Sequence, residues 1–226
     1  MESTSTQPTA PEDTAASWDG DEIIPDRAEP WLPWLLTLDK GLPVGAIALG
    51  VGLLGWWSNS GRGTTVGLAV AAIAAVLVVL SAIDLWTRRL PDAIVLPLYP
   101  LLWLAGAVAA WRGELGWGHV ATAMAAMAGC GAIWWTIGAA TGGIGLGDVK
   151  LGGALGFVLG LNGAWDAGIG GILLPMLLGG LLAFPLMFFG GKNREIAFGP
   201  FLAAGALLVL LLPNTIVPAL TGPLVH

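Results

Sequence analysis

Of the 15 acidic residues in this chain, six follow residue 40: Asp84, Asp92, Glu114, Asp148, Asp166 and Glu195. Asp84 and Asp148 each abut a long apolar run. An ionisable group held against or within a membrane is costly and by default marks function. Paired carboxylates suit hydrolysis, one ionised to take a proton from water and the other protonated to polarise a carbonyl. The remaining four have plainer readings. Asp92 follows Pro91 and suits a helix N-cap. Glu114 beside Arg112 and Asp166 at the head of an apolar run suit solvated or capping roles, and Glu195 sits among the bases of GKNRE. Around Asp148 runs TGGIGLGDVKLGGALG. Gly145 and Gly147 lack a Cβ, so a peptide backbone can come close to the carboxylate. The plain alternative is a glycine-rich turn, in a chain with 35 glycines.

The elements that must position these groups are membrane helices. Hydrophobic residues make up 56% of the chain and charged residues 11%, against about 25% charged in a typical soluble domain. Apolar stretches long enough to count as spans lie at 41–57, 65–84, 93–111, 118–140, 149–162, 167–190 and 196–218, joined by short polar or glycine-rich links. The fold class expected is all-α, a polytopic bundle of about seven spans with a short fifth. With the N-terminus in the cytoplasm and the C-terminus outside, Arg27, Lys40, Arg88, Arg89, Lys150, Lys192 and Arg194 fall inside, and Arg62 and Arg112 outside. That is a positive-inside pattern. Spans three and four then form one out-and-back hairpin between Asp84 and Asp148, so both carboxylates belong to the cytoplasmic interface.

Residues 1–35 read as a disordered acidic cytoplasmic tail preceding a membrane-embedded domain, 36–226. The tail is rich in Ser, Thr, Pro and acids and too poor in apolar residues to bury a core. Nine of the 15 acids lie before residue 41, so the pI near 4.7 reflects the tail and gives no reason to expect a nucleic-acid partner. The single cysteine, Cys130, excludes an intrachain disulfide and a cysteine-cluster metal site. With two histidines besides, no metal and no cofactor is expected.

Three stretches carry a resemblance. SAIDLWTRRLPDAIVLP (81–97), GIGLGDVKLGGALG (143–156) and IAFGPFLAAG (196–205) resemble, in order and spacing, the motifs of the type IV prepilin peptidases. These are GxGD aspartyl proteases of the bacterial inner membrane that remove leader peptides from pilin-like precursors. Ala197 departs from the family's first proline in the third motif. The resemblance implies that Asp84 and Asp148 are catalytic, and that pilin-like precursors and the lipid bilayer are the partners. Gly145, Gly147, Lys150, Phe198, Gly199 and Pro200 become candidates for substrate binding, with core packing the plainer reading of Phe198. Lys150 has two readings, at the lipid interface or against an acidic substrate position. The cysteine-paired insert that accompanies N-methyltransferase activity in the family has no counterpart in SNSGRGT, which implies a peptidase without methylation. Helix polarity favours Asp148, at a helix start, as the initial base and Asp84, at a helix end, as the acid. The rivals are a proton-coupled transporter using both aspartates, or a GxGD protease acting on other membrane peptides.

Overall fold

The structure, a computed structural model, describes Leu32 and residues 37–88, 90–141, 144–189, 198–212 and 214–221. Apart from Leu32, the expected tail of residues 1–35 lies outside the described residues, as do Lys192, Arg194 and Ala197. The described residues are helical, with no strand among them. In order they form α1 (Leu38–Asn59), a 3-10 turn (Ser60–Arg62), α2 (Thr64–Thr87), α3 (Asp92–Trp111), α4 (Trp117–Thr141), α5 (Leu146–Gly160) and α6 (Ala164–Gly168). A π-helical turn (Ile169–Leu173) leads into α7 (Leu174–Phe189), followed by α8 (Gly199–Leu211) and α9 (Ile216–Thr221).

Five helical segments are long and apolar enough to cross a membrane: Asp39–Arg62, Thr64–Thr87, Asp92–Trp111, Trp117–Ala140 and Ala164–Leu181. Two of the seven expected spans are shorter. Helix α5 has 15 residues and α8 has 13, which at 1.5 Å per residue gives roughly 20 Å each against a hydrocarbon core of about 30 Å. Their burial explains how short helices serve here. Every residue of α5 from Leu151 to Gly160 is buried, so other helices rather than lipid surround most of it. By contrast, Leu49 and Leu53 on α1, Leu101 on α3 and Leu181 on α7 are exposed, as a lipid-facing surface requires.

Glycine makes this burial possible. Gly152, Gly156 and Gly160 recur every four residues along one face of α5 and turn that face to α4. A Cβ added at Gly156 would lie 2.5 Å from the Ala126 carbonyl oxygen, and one at Gly160 would lie 2.8 Å from the Ala123 Cα. Such spacing lets two backbones approach as small residues do in membrane helix pairs. The α4–α5 pair is the most extensive in the molecule, with α1–α2 next. Leu77, Leu80 and Ile83 of α2, Leu151, Leu155 and Leu159 of α5, and Leu202, Ala206 and Val209 of α8 join in the core.

Helix ends matter most for the site. Helix α2 stops at Arg88, which adopts a left-handed φ of 52° while its N–H donates to the Asp84 carbonyl at 2.8 Å. This closure leaves Asp84 in the last turn, with the chain free to leave toward Pro91 and α3. At the opposite end of α2, Glu114 accepts hydrogen bonds from the Thr65 amide and hydroxyl, both at 2.8 Å, and from the Val66 amide at 3.3 Å. Glu114 also pairs with Arg112 at 3.2 Å. Of the two roles expected for it, capping is the one observed. The N-cap expected of Asp92 is not. Pro91 occupies that position, and Asp92 is the first helical residue, its side chain turned to Lys150 instead.

Candidate active site

Asp84 and Asp148 line one cleft of about 340 Å3. Gly145, Gly147 and Lys150 line it with them, and Arg88, Leu90 and Asp92 complete its wall. Helices α2 and α5, 64 residues apart at these carboxylates, thus supply the two acids to one space.

Each carboxylate is held differently. Asp84 is 4% exposed, and its Oδ2 accepts a hydrogen bond of 2.9 Å from the Gly199 amide. That amide belongs to the first residue of α8, where backbone N–H groups lack intrahelical partners. Helix polarity therefore does not divide the roles of the two aspartates, because Asp84 also meets a helix N-terminus. Glycine at 199 permits this contact: an added Cβ would lie 2.6 Å from Asp84 Oδ2, so the carboxylate or α8 would have to shift.

Asp148 occupies the third position of α5, after the N-cap Gly145. Its amide donates to the Gly145 carbonyl at 3.1 Å, and its Oδ2 accepts from the Gly145 amide at 3.3 Å, half of a capping box. Its Oδ1 is shielded from solvent and has no hydrogen-bond partner.

The six expected substrate-binding residues divide. Gly145 and Gly147 are at the cleft, and Gly147 lies so close to the start of α3 that an added Cβ would stand 2.9 Å from the Leu90 Cβ. Lys150 is also at the cleft, but its ammonium is bound to Asp92 at 2.7 Å. Phe198, Gly199 and Pro200 are not among the cleft-lining residues; Gly199 meets the site through its amide on Asp84. Phe198 packs between Trp134 and Phe201, with ring centroids 5.2 and 5.9 Å away. Trp134 is itself fixed, donating its indole N–H to the Gly171 carbonyl of the π turn at 2.8 Å. This aromatic stack anchors the start of α8 and so aims the Gly199 amide at Asp84. Pro200, half-buried in the first turn of α8, suits that position because it needs no N–H there. Two residues with a place at the site carried no chemistry in the sequence reading: Asp92, and Tyr99, whose hydroxyl donates to the Lys150 carbonyl at 2.6 Å. Their spacing of seven, two helical turns, was the available signal.

The type IV leader peptidase family matches residues 71–184, a stretch that includes both aspartates. The chain belongs to that family. Among its relatives, the prepilin leader peptidase/N-methyltransferase of Burkholderia pseudomallei is 35% identical over 174 residues, 72% of this chain and 51% of that protein. The protein of the same name from Xanthomonas campestris pv. campestris is 34% identical over 163 residues, covering 67% and 52%. That of Aeromonas hydrophila is 35% identical over 163 residues, covering 66% and 51%. The chain therefore spans about half the length of the relatives it matches. No significant match exists among solved structures. The chain is a helical, multi-pass member of the leader peptidase family, and the two-carboxylate cleft lies in the part that defines membership.

Proposed function

We propose that the chain is a prepilin peptidase, an aspartyl endopeptidase that removes the leader from pilin-like precursors. Asp84 and Asp148 form its catalytic pair. The observation that carries this reading is the shared cleft, in which carboxylates from α2 and α5 meet beside glycine backbone. One carboxylate takes a proton from water as the water attacks the scissile carbonyl, while the other, protonated, donates to the carbonyl oxygen. The resulting gem-diol collapses with proton transfer to the leaving amine. Two acids acting on one water titrate as a unit rather than as separate groups. The Gly199 amide fixes Asp84, and Gly145 and Gly147 leave room for the extended backbone of the substrate. Phe198 and Pro200 support Gly199 rather than touch the substrate.

The cleft belongs at the cytoplasmic interface of the inner membrane, with the N-terminus inside and the C-terminus outside, as the distribution of bases suggests. There the junction between a basic leader and an apolar pilin helix meets the two acids. The link between α1 and α2 has no cysteine, and the chain's one thiol, Cys130, is buried in the core. This supports peptidase activity without N-methylation.

The test is co-expression with a pilin-like precursor, followed by mass analysis of the mature product. Wild type removes the leader and leaves an unmethylated N-terminus, whereas Asp84→Asn and Asp148→Asn each leave the precursor intact. Normal processing by either variant would sink the catalytic pair. Ion flux without cleavage would instead favour a transporter.

A further inference from the structure

The first turn of α5 carries Asp148, and one face of α3 holds Lys150, two residues further along the helix. Asp92 and Tyr99 are two turns apart on α3 and share a face. Asp92 Oδ2 pairs with the Lys150 ammonium at 2.7 Å, and the Tyr99 hydroxyl donates to the Lys150 carbonyl at 2.6 Å. Gly153 makes room for this contact, since a Cβ there would lie 2.7 Å from the phenol oxygen. Among the described residues, the Asp148 carboxylate accepts its hydrogen bond from the Gly145 amide at a long 3.3 Å. Its place in the cleft is therefore set by where the turn is held.

We propose that Tyr99 and Asp92 are positioning residues for Asp148, acting through Lys150, which belongs to this brace and not to the substrate. The proposal rests on Asp148 being one of the catalytic pair. Chemistry at two carboxylates depends on their separation, and a displacement of about 1 Å can cost roughly a hundredfold in rate. The brace contributes little to global stability, because the Lys150 and Asp92 side chains remain 35% and 55% exposed and exposed ion pairs are weak. For Asp92→Asn, a positioning role thus predicts altered turnover in a protein that melts as wild type does.

The experiment uses the full chain in lipid nanodiscs. Tyr99→Phe and Asp92→Asn should each lower kcat by about 5- to 20-fold, with KM within about twofold of wild type. If Lys150 bound substrate instead, releasing it in Asp92→Asn would move KM and leave kcat unchanged. Exchanging the charges, Asp92→Lys with Lys150→Asp, should recover kcat that each single change loses. A substrate-free reading accompanies these. In an Asp148→Cys, Cys130→Ala background, adding Tyr99→Phe should change the rate of maleimide labelling at position 148 by about threefold or more. Unchanged kcat and labelling in both variants, or a change confined to KM, overturns the proposal. A labelling change in the cysteine variants, when the wild-type chain with Asp148 intact cleaves no precursor, upholds the brace and refutes the peptidase assignment instead.

Discussion

Gly199→Ala isolates the contact on which the arrangement of Asp84 depends. The added methyl would lie 2.6 Å from Asp84 Oδ2, 3.0 Å from its Cγ and 3.3 Å from its Cβ. Ordinary contact begins near 3.4 Å, so the carboxylate must retreat by about 0.8 Å or α8 must move by as much. Ile83 and Leu202 are buried on either side, so the carboxylate retreats into the cleft that it lines, away from the Gly199 amide. Retreat also stretches the hydrogen bond of 2.9 Å from the Gly199 amide, and a hydrogen bond to a charged group contributes about 1.5–3 kcal/mol. A displacement of this size predicts a loss of roughly a hundredfold in kcat, about 2.7 kcal/mol of transition-state stabilisation. Overpacking predicts about 1–3 kcal/mol of lost stability. The assay is single-turnover cleavage of a full-length precursor in nanodiscs, with melting followed in parallel. Gly180→Ala is the control, because a Cβ at Gly180 meets nothing within 4 Å and alanine favours a helix. Wild-type turnover by Gly199→Ala would refute the idea that this backbone contact sets the position of Asp84.

Two further outcomes follow from the packing and the loop. Gly156→Ala places a methyl 2.5 Å from the backbone oxygen of Ala126 and 2.9 Å from the Cys130 Cβ; neither helix can yield by a rotamer change, so stability should fall by about 3 kcal/mol, read by denaturation in detergent. Burial pushes the Glu114 carboxyl up, but hydrogen bonds from Thr65 and Val66 and the nearby Arg112 hold it below its ordinary value of 4.5. A lowered folded-state value means that the stabilisation is complete above pH 4.5 and is lost as pH falls through the folded value. The difference in Tm between wild type and Glu114→Gln should therefore be constant near neutral pH and shrink on acidification below 4.5; a difference that grows on acidification contradicts the capping role.

The sequence by itself determined the all-helical membrane class, because backbone in lipid is satisfied only in helices or closed barrels, and continuous apolar runs of about 20 residues suit helices rather than the short alternating strands of a barrel. It also singled out Asp84 and Asp148, since scarce carboxylates beside apolar runs stand out locally, and the three motifs around them pointed to the family. Tertiary structure decided what depends on contacts between distant segments. Helices α5 and α8 are too short to cross alone, and only their burial behind α2 and α4 accounts for them. The Gly199 amide reaches Asp84 across 115 residues, and Lys150 meets Asp92 and Tyr99 across 58 and 51. Asp92 read locally as a cap and Phe198 as a choice between groove and core. Which neighbour each one meets is set by how α3, α5 and α8 pack, and no local rule of spacing or propensity encodes that.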